Sequence, residues 1–219
     1  MNRRLFSLTM FGTFGVMLGQ QVQARSKSSP ELRPKLSEIY PYIVPDSWVR
    51  AVDYKGITYR KISNDVYAVL VRDLHGVVQS VSNSEKERFG KSDKELIRLA
   101  EENLVLAWQN QQFTAGFGVG FDGVRFGGAE GSWLAPGVLL CRRFYELAIE
   151  HLKTDDILVA IPNQERLIAF PNDNRSASSL HLADLVRKGF ASHPKPVTKS
   201  ILRLRPGRPP VAIDFTWLA

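Results

Sequence analysis

The chain has one cysteine, Cys141, in 219 residues. An internal disulfide and a Cys-based zinc cluster are therefore excluded. Its four histidines, His75, His151, His181 and His193, form no H-x-H or H-x-x-x-H pair, so no zinc motif is present. There is no G-x-S-x-G nucleophile elbow and no G-K-[ST] phosphate loop. No apolar run reaches the roughly 20 residues of a membrane span. The acid pairs Glu101-Glu102 and Asp155-Asp156 fall on a helix surface and at a strand entry, where they read as solvated charge. Cys141 lies in an apolar helical stretch and reads as a small buried residue rather than a nucleophile. The sequence thus assigns no catalytic residue, no metal ligand and no cofactor.

Hydrophobic residues make up 44% of the chain and charged residues 23%, enough for one substantial core without covalent staples. The N-terminus is distinctive. Met1 to Arg4 is basic, Leu5 to Leu18 is mostly apolar, and Val22-Gln23-Ala24 is a small-x-small cleavage context. Residues 1–24 read as a signal peptide, with an uncleaved anchor as the competing reading. Arg3-Arg4-Leu5-Phe6 also fits the twin-arginine pattern R-R-x-F, but an Arg-Arg pair suits the general secretory route equally. The expected location is periplasmic or secreted, with no transmembrane span in the mature chain.

Without residues 1–24, which carry two arginines and no acid, 27 basic and 22 acidic residues remain, a net charge of +5. The excess gathers in HPKPVTKSILRLRPGRPP (193–210), which has five Lys/Arg and no acid. Such a run suits phosphate or anionic lipid, or simply a solvated hairpin face. An exported protein meets little nucleic acid, so the expected partner is a protein or small ligand of the cell envelope.

Residues 25–52 read as a polar tether followed by a short helix over 32–40, cut by Pro41 and Pro45. Residues 53–219 read as one domain. Strands are expected over 54–62, 65–73 and 77–82. Ser92 with Glu95 three residues later forms a capping box, and Leu96, Leu99, Ala100, Leu104 and Ala107 follow the helical period to about Trp108. A second helix is expected over 137–152, then a hairpin over 156–170. A third helix is expected over 176–191, capped by Ser176 or Asn174, and a last hairpin pairs 201–205 with 211–215. Alternating hairpins and three main helices give an α+β fold with antiparallel pairing.

GFGVGFDGVRFGGAEG (116–131) holds seven of the sixteen glycines and contains GxGxxG. A dinucleotide fingerprint needs a preceding strand, a helix starting inside it and a following acid. This stretch follows a helix and leads into VRFGG, so that reading fails. Asp122-Gly123 instead signals a two-residue hairpin turn. Phe121 would then face Val124, Gly120 would face Arg125 and Val119 would face Phe126. Phe113, Ala115, Phe117, Val119, Phe121, Val124 and Phe126 would form one face. Thr114, Gly116, Gly118, Gly120, Arg125 and Gly127 would form the other. Bare strand faces occur at bulges, bends or close approaches. Close packing of another element explains this one, and so does a groove for a ligand or peptide. Gly116, Gly118, Gly120 and Arg125 are therefore candidate ligand-binding residues. Asn172 and Asn174 in PNDNRS (171–176) join them, because a helix N-terminus accepts anions.

Four stretches carry a resemblance: DVYAVLVRDL (65–74), KSDKELIRLAEENL (91–104), GSWLAPGVLL (131–140) and DILVAIPNQERLIAF (156–170). With these the chain resembles the YtpQ-like family, a bacterial domain of unknown function, over about residues 53–217. The resemblance implies an α+β domain and supplies no catalytic residue. The leader and the glycine-rich hairpin depart from the family pattern. The functional expectation is an exported, non-catalytic binding or accessory module. The alternative is a hydrolase-like envelope enzyme whose active-site residues are scattered along the chain.

Overall fold

Pro41 and Pro45 lie inside a strand rather than beyond a helix. In the computed structural model a single 3-10 turn, Leu36–Glu38, leads directly into strand β1 (Ile39–Pro45), which corrects the helix expected over 32–40. The structure describes residues 35–52, 56–74 and 77–213. The expected leader (1–24), most of the expected tether, His75 and the chain end beyond 213 lie outside the described residues. Among the described residues β1 pairs along one side only, with β3 (Val66–Asp73), from Ile39 opposite Arg72 to Pro45 opposite Val66. Leu70, opposite Pro41, donates away from β1 to the Thr58 carbonyl at 2.9 Å. The missing N–H groups of both prolines therefore fall on the open edge, where a strand tolerates them.

On the other side of β3, strands β2 (Tyr59–Lys61) and β4 (Val78–Ser80) pair with its two halves. Helix α1 (Asp46–Ala51) follows β1, and helices α2 (Asn83–Phe89) and α3 (Asp93–Gln109) follow β4. Each of the latter two starts at a capping box, Ser82 with Glu85 and Ser92 with Glu95. Gly90 between them adopts the left-handed conformation, φ 60°, which ends α2. α3 buries Leu96, Ala100, Leu104 and Ala107 as its spacing requires. Its buried Asn103 donates to the carbonyls of Leu36 (2.8 Å) and Ile39 (2.9 Å), fixing the start of β1 against the helix.

The second sheet has six strands, β5 (Thr114–Val119), β6 (Arg125–Glu130), β7 (Ile157–Asn163), β8 (Arg166–Pro171), β9 (Ile201–Leu204) and β10 (Val211–Ile213). Their order is β10-β9-β7-β8-β6-β5 and every pair is antiparallel. The fold is α+β. Successive residues of β7 and β8 serve opposite faces. Val159, Ile161, Leu167 and Ala169 join the core formed with α3 and α4 (Arg142–Leu152). Leu158, Ala160, Ile168 and Phe170 pack under α6 (Leu180–Ala191).

Two expected helices are each divided. The stretch 137–152 breaks at Cys141, which is extended (φ −84°, ψ 114°) between a buried 3-10 segment, Ala135–Leu140, and α4. The segment packs into the core around Ala135 and Val138, and the chain must turn at Cys141 to lay α4 on the sheet. The stretch 176–191 divides because it contains two caps. Asp173 accepts from Ser176 N at 2.7 Å to open the single turn α5 (Asn174–Ala177). Ser179 accepts from Leu182 N at 3.1 Å to open α6. All described residues belong to one compact unit, Pro34–Ala219.

Candidate functional site

The glycine-rich hairpin closes with three residues, not two. Gly120 N donates to the Val124 carbonyl (2.8 Å), and Gly123 N donates to the Gly120 carbonyl (2.9 Å). Gly123 has φ 71°. This is a type I turn followed by a left-handed glycine, the arrangement of a three-residue hairpin loop. Val119 is therefore opposite Arg125, Gly118 opposite Phe126, Phe117 opposite Gly127 and Gly116 opposite Gly128. The pairing is shifted by one residue from expectation, which exchanges the faces of β6. Val124 and Phe126 lie on the glycine face, whereas Arg125 and Gly127 lie opposite, with Phe117 and Val119.

The glycines serve different ends. A Cβ at Gly127 would lie 2.2 Å from the Phe117 ring, and one at Gly128 would lie 2.7 Å from the Leu167 carbonyl oxygen. Those two glycines make room within the fold. Gly116 and Gly118 have no heavy atom within 4 Å of where a Cβ would stand. Among the described residues nothing packs on them, which corrects the expectation that a neighbouring element explains the bare face. They floor a cleft of ≈ 500 Å³ walled by Phe126, Ile168, His181 and Leu185, with the Arg166–Glu130 ion pair (2.5 Å) at one end. Among the described residues β5 is the last strand of the sheet. Since Gly120 bonds to Val124, alternation along the ladder directs the N–H and C=O groups of Ala115, Phe117 and Val119 away from β6, to the open edge. Val119 is 64% exposed and Phe121, at the hairpin tip, is fully exposed.

The six candidate residues do not meet in one place. Gly116 and Gly118 are in the cleft. A Cβ at Gly120 would meet Asp122 Oδ1 at 2.8 Å and His181 Cδ2 at 3.3 Å. Arg125 is on the α4 side, beside Leu152 and Arg175. Asn172 donates to Asp156 Oδ2 at 3.0 Å, and Asn174 begins the single turn α5, whose N-terminus is occupied by the Asp173 carboxylate.

Asp122, Ser179 and His181 converge at the hairpin tip. They do not form a catalytic relay. The Ser179 hydroxyl donates directly to Asp122 Oδ2 with no imidazole between them, and the same oxygen caps α6. The Ser179 hydrogen bond, followed by the bond from Val124 N, holds the Asp122 carboxyl below its ordinary range. Arg175 Nη2 donates to the Asp122 carbonyl at 3.1 Å. These contacts clasp the hairpin to the α5–α6 segment and fix one end of the cleft.

The outer face of the four-stranded sheet carries a second cleft that the sequence reading missed. Tyr40, Tyr42 and Val44 of β1 share this face with Tyr67, Val69 and Val71 of β3. Trp48 from α1 and Trp133 from the 131–134 loop stand over it. The Tyr42 ring lies 5.6 Å from Trp133 at 81° and 6.5 Å from Trp48 at 87°. These rings line a cleft of ≈ 560 Å³ with Glu165 and Lys195. Four of the chain's six tyrosines and two of its four tryptophans are gathered here (Tyr40, Tyr42, Tyr59, Tyr67, Trp48 and Trp133). The available signal was the alternation in YPYIV (40–44), obscured by its proline.

Among the described residues, no group of three or more His, Cys, Asp or Glu side chains is placed to hold a metal ion, and no helix is long and apolar enough to cross a membrane. Comparison with protein-family models, curated proteins and solved structures finds no match to this chain.

Proposed function

We propose that the protein is an exported, non-catalytic binding module that takes an extended peptide segment along the free edge of β5. The observation that carries this reading is the bare strand at Gly116 and Gly118, which among the described residues is uncovered and lies beside an unpaired row of backbone groups. An open edge is a template for another strand. Peptide-binding domains use such edges, drawing affinity from main-chain hydrogen bonds and specificity from pockets for alternate side chains. Here the glycines leave space on one face, and Phe126, His181 and Leu185 supply an apolar wall with the Arg166–Glu130 pair at its end. Natural sheets usually blunt an exposed edge with lysine, proline or a bulge. The sequence of β5, TAGFGV, has no charge and no proline.

Export rests on the leader-like pattern of residues 1–24, and the likeness to the YtpQ-like family belongs to the same proposal. Neither supplies a catalytic residue. Selection from a display library of linear dodecapeptides tests the binding mode. The wild-type chain should recover extended peptides that Val119→Pro does not retain. Equal recovery by both would overturn it. Mass spectrometry of the protein purified from the cell envelope should find Arg25 as the first residue. A chain retaining Met1 in the cytosol would overturn the export reading.

A further inference from the structure

We propose that the aromatic cleft on the outer face of the four-stranded sheet binds a small zwitterion bearing a methylated ammonium group and an anionic arm. This site is separate from the β5 edge and its argument does not depend on peptide binding there. Trp48 and Trp133 stand nearly perpendicular to Tyr42, at 87° and 81°, and all three rings line one cleft. Tyr40 meets Trp133 at 6.0 Å and 88°. Rings at right angles around a cavity can present negative faces to one point, the arrangement that recognises quaternary ammonium groups.

Charge is distributed to match. Although the chain is basic overall, net +7, the cleft is lined by one carboxylate, Glu165, and one cation, Lys195. The phenols of Tyr40 and Tyr42 are pushed above their ordinary range by burial first, and then by nearby acids. Those acids are Asp73 and Glu38 for Tyr40, and Glu165 for Tyr42. The position of Glu165 is built into the fold. The Tyr42 hydroxyl donates to Gln164 Oε1 in a buried contact, and Gln164 N donates to the Lys195 carbonyl at 3.1 Å. Glu165 N donates to Asn163 Oδ1 at 2.9 Å. One turn thus fastens the Glu165 and Lys195 backbones beside the rings. A methylated ammonium sits against the rings near Glu165, and a carboxylate or phosphate on a short arm reaches Lys195. A bare hydrocarbon would gain nothing from either charge.

Isothermal titration of the full chain with glycine betaine, and with its uncharged-centre isostere 3,3-dimethylbutanoate, tests this directly. The two probes have the same shape and carboxylate, and only one carries the cation. Betaine should bind at least about tenfold more tightly, since cation–π attraction in a desolvated site is worth that much. Glu165→Gln and Trp133→Leu should each weaken betaine several-fold. Lys195→Met should weaken betaine but leave choline unchanged. Equal binding of betaine and the isostere would overturn the proposal, as would no heat from betaine or choline at millimolar concentration. Binding of maltose that is lost in Trp133→Leu, with none of betaine, would show a sugar platform and also overturn it.

Discussion

The ring of Phe117 lies on the backbone of Gly127, its direct cross-strand partner. It is also stacked with Phe144 at 5.5 Å and with His151 at 5.0 Å, contacts that oppose its movement. A methyl group at 127 would start 2.2 Å from the ring. Gly127→Ala should therefore destabilise the protein by about 1–3 kcal/mol, as overpacking does. Denaturant unfolding measures it, and an unchanged midpoint would show that the ring can shift.

Gly118→Val should behave in the opposite way. Among the described residues no heavy atom beyond its chain neighbours lies within 4 Å of where a Cβ at 118 would stand, and the backbone is outside the left-handed region. Valine's better strand propensity should leave stability unchanged or raise it by up to about 1 kcal/mol. The same change fills the floor of the cleft, so retention of selected peptides should fall at least about tenfold. Stability gained with peptide binding intact would show that the face is only wet surface.

Acid should weaken the link between β7 and β9. Arg203 donates to Asp156 Oδ1 at 2.7 Å through Nε, and to Oδ2 through Nη2. The Arg203 hydrogen bond, with a further one from Asn172, holds the Asp156 carboxyl below its ordinary 3.8. A depressed folded pKa means that the unfolded state binds the proton first on acidification. The stabilisation is present above about pH 4, the unfolded range of an aspartate, and is lost as pH falls through the lower folded value. Asp156→Asn should remove part of the acid dependence of the unfolding midpoint. An identical pH profile would mean that the pair contributes nothing.

Cys141 is buried, and burial pushes its thiol up to about 12. Reaction requires the thiolate, so the folded protein should resist iodoacetamide at neutral pH and react fully in guanidinium. Rapid labelling of the native protein would contradict the burial of this residue.

The parts legible in the sequence were those set by local rules. DVYAVLVRD could only be a strand, the Ser92–Glu95 box announced α3, and DILVAIPNQERLIAF announced the β7–β8 hairpin. The register at Asp122-Gly123 was not legible, because that dipeptide serves both two-residue and three-residue loops. A one-residue slip moves Arg125 and Phe126 to opposite faces. β1 was hidden because Pro41 and Pro45 suit a strand only at an edge, and edge position is a tertiary fact. The aromatic cleft was hidden for the same reason. Tyr42 meets Gln164 across 122 residues, and Trp133 arrives from a loop with no periodicity.

Amide hydrogen exchange at β5 tests the central claim most directly. With a dodecapeptide selected on the wild-type chain, exchange should slow at Ala115, Phe117 and Val119, whose N–H groups face the open edge. It should change little at Gly116 and Gly118, which already bond to β6. Val119→Pro should fold normally, since its N–H has no partner in the sheet, and should abolish the protection. Alternating protection confined to those three amides is the predicted result. Protection elsewhere with β5 unchanged, or protection that survives Val119→Pro, would contradict strand addition at this edge.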